Sequence, residues 1–119
     1  MQYMLLIYGD PAAGPEAGSS EAQAEFGQWF GYTQALRDSG AFVAGDPLET
    51  AGTATSVRVR NGERLVTDGP FAETKEQLGG YYAVEANDVD EAIALAERIP
   101  AARGGTIEVR PLVPRMVPA

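Results

Sequence analysis

The hydrophobic positions of this chain switch between strand-like runs and a helix-like spacing. An apolar run over residues 3–8, ended by a Gly-Asp-Pro turn, predicts a buried first strand. Apolar residues then recur at steps of three and four, which predicts a helix over residues 21–38. Ser20 and Gln23 form a capping-box pattern at its start, and Gly40 is typical of the position after a helix. The predicted apolar face of this helix comprises Ala22, Phe26, Trp29, Phe30, Thr33 and Leu36.

The middle of the chain is patterned as short strands joined by turns. Residues 42–44 predict a strand that runs into a second Gly-Asp-Pro turn. The alternating residues 56–60 predict a half-exposed strand, and residues 64–67 predict its antiparallel return. The pair Asn61 and Gly62 between them is typical of a two-residue hairpin turn.

The last third of the chain repeats the order of strand, helix and strand. Residues 81–86 are rich in strand-forming side chains. Asp88, followed three residues later by Glu91, predicts the start of a second helix, and Pro100 predicts its end. Residues 106–110 predict the last strand. The apolar stripe of the second helix comprises Val89, Ala92, Ile93, Ala96 and Ile99.

This order of elements predicts an α+β fold of the ferredoxin-like split βαβ type with an added β-hairpin. Two helices on one face of the sheet would leave the other face bare, although the strands carry apolar side chains on both faces. A second copy of the chain is the simplest cover, so we expect a homodimer that packs sheet to sheet around a shared cavity. We expect a single domain over residues 1–113 and a C-terminal tail over residues 114–119.

Composition narrows the classes of function. The chain has 119 residues and a formal net charge of −8, so we expect no nucleic-acid partner and no membrane association, because like charges repel. It contains no cysteine and no histidine, which excludes disulfides, thiolate nucleophiles and Ser-His or Cys-His catalytic pairs. We expect no metal and no cofactor. The absence of an export signal and of a membrane-length apolar run leads us to expect a cytoplasmic location.

The most specific stretch of the chain follows the predicted hairpin. Gly69 and Pro70 restrict the backbone to a turn, and the Asp68 carboxylate is placed to accept hydrogen bonds from amides just downstream, as in an Asx-turn. Phe71 is expected to anchor this loop in the core.

The remainder of this stretch, up to the next strand, carries further turn signals. Thr74 with Gln77 fits a capping box and predicts one helical turn. Lys75 is expected to pair with a carboxylate. The pair Gly79 and Gly80 is typical of a strand bulge, with close approach of a ligand to the backbone as the alternative.

Residues 68–76, Asp-Gly-Pro-Phe-Ala-Glu-Thr-Lys-Glu, resemble the signature of the YCII-related proteins of the DGPF type. The resemblance extends in order over nearly the whole chain, through residues 3–8, 45–48, 79–82 and 107–111. It implies a dimeric α+β barrel of ferredoxin-like subunits in a bacterial cytoplasmic protein. It also implies a genomic setting beside extracytoplasmic-function sigma factors.

The resemblance carries over no established mechanism. For the wider YCII-like group, a role for a His–Asp pair has been suggested by likeness to muconolactone isomerases. Since this chain has no histidine, that mechanism is not transferred to it.

Asp68 is the candidate catalytic residue, as a general base in a cavity, and its competing interpretation is the turn-capping role. Tyrosine hydroxyls on the strands are candidate ligand contacts, although packing with a solvated tip is their commoner use. The acidic residues at the start of the second helix are better explained by their favourable interaction with the helix dipole than by a metal site. The candidate ligand-binding residues are Tyr8, Asp68, Gly69, Pro70, Phe71, Lys75, Gly80 and Tyr82.

Three hypotheses of function follow. The first is a small dimeric protein that binds a small molecule in a barrel cavity, in a regulatory role linked to an extracytoplasmic-function sigma factor. The second is a cofactor-free enzyme of the isomerase or proton-transfer type, with Asp68 as the base and Tyr8 or Lys75 as an electrophilic helper. The third is a structural partner that modulates a sigma factor through the dimer surface.

Overall fold

The structure, a computed structural model, describes residues 1–114, and the predicted tail falls largely outside the described residues. It contains six strands and two α-helices within that range, in the predicted order. The elements are β1 (Gln2–Gly9), α1 (Ser20–Ser39), β2 (Phe42–Pro47), β3 (Thr55–Arg60), β4 (Glu63–Asp68), β5 (Gln77–Glu85), α2 (Val89–Glu97) and β6 (Thr106–Pro111). Single 3-10 turns cover Pro11–Ala13, Ala51–Thr53 and Pro100–Arg103.

Four strands form an antiparallel sheet in the order β2-β5-β1-β6. β5 therefore lies between β1 and β2, the two strands that α1 connects, and β1 lies between β5 and β6, the two strands that α2 connects. This insertion of one strand inside each crossover confirms the ferredoxin-like split βαβ arrangement. β3 and β4 pair only with each other and form the added hairpin, also as predicted.

The two faces of the four-stranded sheet differ in burial. Along β1, Tyr3, Leu5 and Ile7 are buried, whereas Met4 and Leu6 are only half-buried. Because side chains alternate across a strand, the buried set shares one face. That face forms one core cluster with buried residues of both helices, which are Tyr32, Leu36, Ala92 and Ala96. Both helices therefore cover the same face, and we call the opposite one the open sheet face.

Helix α1 begins one residue earlier than its predicted capping box. Ser19, not Ser20, is the N-cap, and its hydroxyl accepts a 3.1 Å hydrogen bond from the Ala22 amide. Gly40 ends the helix in a left-handed conformation (φ 81°), as predicted. The pattern had omitted Tyr32, which is buried because its ring packs on the sheet and its hydroxyl donates to the Leu95 carbonyl oxygen at 2.7 Å.

The predicted apolar face of α1 is only partly a core face. Leu36 is buried and Trp29 packs half-buried against the core, but Phe26 and Phe30 are 72% and 66% exposed. Phe30, although it belongs to the predicted apolar face, therefore lies outside the core. Both rings border a cavity instead of packing into the core.

Helix α2 starts where the sequence predicted. The Asp88 side chain accepts a hydrogen bond from the Glu91 amide at 2.9 Å. Ala92, Ala96 and the following Ile99 are buried, as expected from the stripe. The other two members of the stripe, Val89 and Ile93, are exposed, because a helix that packs small alanines against a sheet buries only a narrow face.

The hairpin turn follows the predicted chemistry. Asn61 and Gly62 have φ values of 52° and 77°, so both central residues lie in the left-handed region that a type I′ turn requires. The arm formed by residues 55–68 has its large hydrophobic side chains exposed, and β4 carries no buried residue.

Of three local predictions between these elements, two were wrong and one is confirmed. β2 continues through Pro47 rather than turning at Gly45, which an edge strand permits because its outer amides need no partner. The predicted helical turn at Thr74 is absent from the described residues, and β5 already begins at Gln77. Gly79 is the extra residue of a bulge, as predicted, since its neighbours pair in register with β1 while it has no opposite residue.

Candidate functional site

A cavity of about 660 Å³ lies between α1 and the edge of the sheet formed by β2 and β5. We call it the helix-side cavity. Its walls come from one face of α1, the end of β1, the edge strand β2 with the loop that follows it, and the first half of β5. Its volume is in the range of sites that take a small organic molecule. The α1 residues that line it are Phe26, Trp29, Phe30, Thr33 and Arg37.

Aromatic rings form the floor of this cavity around Tyr82. The ring of Trp29 lies nearly parallel to that of Tyr82, with 6.4 Å between centroids and 17° between planes. The Tyr32 ring meets Tyr82 edge-on at 5.3 Å, and the Phe42 ring does so at 6.5 Å. These contacts lock the Tyr82 ring in one position, because aromatic pairs prefer such stacked and edge-to-face geometries.

One pair of hydroxyls supplies a polar contact on this apolar floor. The Thr33 and Tyr82 hydroxyl oxygens are 2.6 Å apart and share one hydrogen bond. Each hydroxyl has one hydrogen to donate and two lone pairs. After the shared bond, the pair retains one hydrogen and three acceptor sites, so it can serve either a carbonyl or a hydroxyl of a bound molecule.

Glycine at position 45 is what lets the Tyr82 ring lie against β2. A methyl group added to Gly45 would lie 2.6 Å from the ring carbon Cδ1 of Tyr82 and 3.1 Å from the Tyr81 carbonyl oxygen. Gly80 lets the β5 backbone lie close to that of β2, since an added Cβ would lie 3.1 Å from the Asp46 carbonyl oxygen. Both glycines are thus required for close approach of the edge strand to β5.

The charged groups around the cavity are mostly carboxylates. Asp10, Asp46 and Glu49 line it, against a single guanidinium, that of Arg37. The Arg37 guanidinium carbon lies 4.1 Å from the centroid of the Phe42 ring, a cation–π contact that holds the guanidinium on the wall. The balance of these charges disfavours an anionic ligand.

Two tyrosines beside the cavity have raised pKa values for different reasons. Burial raises the pKa of Tyr32 above its ordinary value, with a smaller contribution from Tyr82, while Arg98 opposes the shift. The pKa of Tyr81 is raised because its hydroxyl donates to the Asp46 carboxylate at 3.1 Å. Both phenols therefore stay neutral at physiological pH.

The structure distributes the predicted ligand residues over two places. Tyr8, Gly80 and Tyr82 line the helix-side cavity. Pro70 and Phe71 line a neighbouring cavity of about 530 Å³, the loop-side cavity, which also includes Tyr8. Asp68, Gly69 and Lys75 line neither of these two cavities.

The expected roles within the Asp68 segment are not what the structure shows. Asp68 is exposed at the end of β4, and among residues 1–114 no amide donates to its side chain. Phe71 is 81% exposed, so the expectation that it anchors the loop in the core was wrong. Gly69 instead fixes this corner, with φ at 94° and its amide donating to the Ala54 carbonyl oxygen at 2.7 Å. The assignment of Asp68 as a base stays a prediction.

The helix-side cavity contains residues whose sequence pattern predicts another role. Trp29 and Thr33 belong to the predicted apolar stripe of α1, and Asp46 belongs to a predicted turn. The predicted apolar stripe on α1 is wider than the buried face of the helix, since Phe26 and Phe30 belong to the stripe but are exposed. That excess of aromatic residues is the signal in the sequence for a partly uncovered pocket.

The described residues offer no donor set for a metal ion. Within residues 1–114, no three His, Cys, Asp or Glu side chains come together as a metal site needs. In that same part of the chain, neither helix has the length and hydrophobicity to cross a bilayer.

Comparison with known proteins places the chain in a family. The family model of the YCII-related domain matches residues 1–115. The uncharacterized protein R00369 of Rhizobium meliloti (strain 1021) is 32% identical over 114 residues, which cover 94% of this chain and 92% of that protein.

A solved structure shares the fold. It is that of 5-chloro-2-hydroxyhydroquinone dehydrochlorinase (TftG) from Burkholderia phenoliruptrix AC1100, in complex with 2,5-dihydroxybenzoquinone. The TM-score is 0.54, with 16% sequence identity and coverage of 95% of this chain and 94% of that one. The match of the family model over nearly the full length, together with the Rhizobium relative, shows that this chain belongs to the YCII-related domain family.

Proposed function

We propose that this protein binds a small, uncharged, planar ring compound carrying oxygen substituents, in the helix-side cavity. The observation that carries the proposal is the floor of the cavity, where a locked aromatic cluster surrounds the Thr33–Tyr82 hydroxyl pair. A planar ring gains contact area and stacking on such a floor, and the hydroxyl pair would orient its oxygen. The surplus of carboxylates around the cavity favours an uncharged compound over a carboxylated one.

The structure of the neighbour also holds a small planar ring compound. This compound is 2,5-dihydroxybenzoquinone, a six-membered ring with oxygen substituents. At 16% identity the likeness supports a shared fold rather than shared chemistry. The inference for this chain therefore depends on its own residues.

The single tryptophan of the chain makes the proposal testable by fluorescence. Trp29 lines the cavity, so a ring bound beside it should change its emission in a saturable way. We would titrate hydroquinone, with cyclohexane-1,4-diol as the non-planar control and 4-hydroxybenzoate as the anionic one. We expect hydroquinone to bind saturably and each control compound to bind roughly tenfold more weakly, since stacking contributes on the order of 1 kcal/mol.

Variants separate the hydroxyl pair from general packing. Tyr82→Phe and Thr33→Val should each weaken hydroquinone binding by roughly tenfold, because each removes a hydrogen-bonding group. Tyr3→Phe makes the same chemical change on the same buried face but outside the cavity, and it should leave binding unchanged. Absence of saturable binding, or equal binding of all three compounds, would contradict the proposal.

A further inference from the structure

The loop-side cavity adjoins the helix-side cavity. The two share a wall formed by the end of β1, the loop after β2 and the start of β5, which includes Tyr8, Leu48 and Leu78. In the register of β1 with β5, Leu78 lies directly opposite Tyr8, just beyond the bulge at Gly79. The Leu48 amide donates to the Gly79 carbonyl oxygen at 2.9 Å. Backbone hydrogen bonds therefore fix this wall, and one elongated molecule can extend along it from one cavity into the other.

The signature segment, residues 68–76, supplies another wall of the loop-side cavity through residues that include Pro70 and Phe71. Phe71 borders this cavity and is nevertheless 81% exposed. Just before these two residues, the Gly69 carbonyl oxygen accepts a 2.8 Å hydrogen bond from the Ser56 hydroxyl, which ties the segment to β3. The segment thus holds at the cavity an aromatic ring whose apolar surface a bound molecule would cover.

Beyond the shared wall, the side chains of the loop-side cavity are apolar or already hydrogen-bonded. The hydroxyls of Thr53, Ser56 and Thr74 each donate to a backbone carbonyl oxygen, and a hydroxyl has only one hydrogen to donate. Among residues 1–114, no charged side chain lines this part of the cavity, and none of its side chains has a hydrogen free for a ligand. Its apolar members are Ala54, Pro70, Phe71 and Ala72. This part of the cavity therefore suits a hydrocarbon group.

We propose that the loop-side cavity is a second subsite for the same ligand, which binds an uncharged hydrocarbon substituent of the ring held in the helix-side cavity. The Thr33–Tyr82 hydroxyl pair would orient the oxygen of the ring, and the apolar walls would cover the substituent. This inference rests on the proposed function and narrows its ligand class to phenols or quinols with an alkyl chain. A charged chain is disfavoured, because it would lose its water against an apolar wall.

A series of 2-alkylhydroquinones, from methyl to hexyl, tests the subsite through the fluorescence of Trp29. Each added CH2 should tighten binding by roughly threefold until the cavity is full, as expected for burial of a methylene group. 2-(5-Carboxypentyl)hydroquinone, which has a charged end on a chain of similar length, should lose most of this gain. Saturable binding of hydroquinone with no gain from the alkyl chain would overturn this inference alone, whereas failure of hydroquinone to bind would contradict the proposed function.

A variant at Phe71 tests the location of the subsite. In Phe71→Ser, the ratio of the affinities for 2-hexylhydroquinone and hydroquinone should fall by roughly tenfold, because an apolar wall is lost. Val113→Ser also removes an exposed apolar side chain, but one that lines neither cavity, and it should leave the ratio unchanged. An unchanged ratio in Phe71→Ser would overturn the proposal. If sedimentation velocity also shows that this variant has lost an assembly, Phe71 contacts a second copy instead of the ligand.

A label in the loop-side cavity tests the subsite without the ring. The chain has no cysteine, so Ala72→Cys offers a unique position for a bimane fluorophore at this cavity. Hexan-1-ol should shift the bimane emission to shorter wavelength in a saturable way, because the hydrocarbon chain displaces water. 2-Hexylhydroquinone should compete with hexan-1-ol, and hydroquinone should not. A label that does not respond to either alkyl compound, or that responds equally to hydroquinone, would refute the subsite whether or not the ring site exists.

Discussion

Gly45 is a position at which one added methyl group should directly disturb the floor of the candidate site. In the structure an added Cβ lies 2.6 Å from Cδ1 and 3.0 Å from Cε1 of the Tyr82 ring. Ordinary carbon–carbon contact is about 3.5–4.0 Å, so the ring would have to move by about 1 Å. The rings of Trp29, Tyr32 and Phe42 surround that of Tyr82, so a rotation of the Tyr82 ring away from the methyl group would meet these neighbours.

The cost of Gly45→Ala follows from these contacts. Overpacking of a filled core costs about 1–3 kcal/mol, and a 1 Å shift of the ring would break the 2.6 Å hydrogen bond to Thr33, for about 1 kcal/mol more. The alanine offsets about 0.4–1 kcal/mol of this loss of stability, because it lowers the conformational entropy of the unfolded chain. We expect the free energy of unfolding to fall by about 2 kcal/mol, measured by urea denaturation with circular dichroism.

A matched glycine and a double variant separate the clash from a general loss of strand flexibility. Gly79→Ala places a methyl group in the neighbouring strand, where the nearest heavy atom is 4.0 Å away, and it should change stability by less than about 0.5 kcal/mol. In a Tyr82→Ala background, Gly45→Ala should lose most of its cost, because the ring it meets is gone. Equal stability of Gly45→Ala and Gly79→Ala, or the same cost in both backgrounds, would refute the reasoning.

Three further changes test the helix caps, the helix interior and the buried phenol. Ser19→Ala should lower the free energy of unfolding by about 1 kcal/mol because it removes the hydroxyl that accepts from the Ala22 amide, whereas Ser20→Ala should leave it nearly unchanged; the reverse order would restore the predicted capping box. Gly31→Ala in α1 adds a methyl group with no heavy atom within 4 Å, so it should raise stability by about 0.5–1 kcal/mol in the same assay. The raised pKa of Tyr32 means that, above the ordinary value of 10.0, the unfolded chain releases a proton that the folded chain keeps. The stabilisation from the neutral Tyr32 phenol is therefore fully present below pH 10, and above that pH the free energy of unfolding should fall by about 1.4 kcal/mol per pH unit. Tyr32→Phe should lack this fall. Parallel pH profiles for the two proteins would show that Tyr32 titrates normally.

Much of the architecture follows from local patterns. The steps of three and four in α1, the Gly40 stop and the Asp88 cap depend on interactions within a few residues, and they appear where the pattern predicted them. The Asn61–Gly62 turn is equally local, because only a few residue types tolerate its positive φ values. The order of the sheet then follows from the order of elements and the short connections between them.

The functional interpretation of the Asp68 segment was harder to predict because its neighbours are distant in sequence. Phe71 was expected in the core from its hydrophobicity, yet no part of the core reaches it, and it is exposed. Thr74 and Gln77 match a capping box locally, but pairing of Gln77 with Gly9 of β1 draws that residue into a strand. A long-range hydrogen-bonded ladder overrides a local helix signal of one turn.

The sequence alone determined the elements, their order, the ferredoxin-like topology and the exclusion of histidine and cysteine chemistry, because periodicity and residue type act over short distances. The tertiary structure alone decided where the cavity opens and which side chains meet in it. Periodicity shows which side of α1 is apolar, but not that Phe26 and Phe30 on that side stay exposed and border a cavity. The Thr33–Tyr82 pair joins residues 49 positions apart, and only packing of α1 across β5 brings them to 2.6 Å.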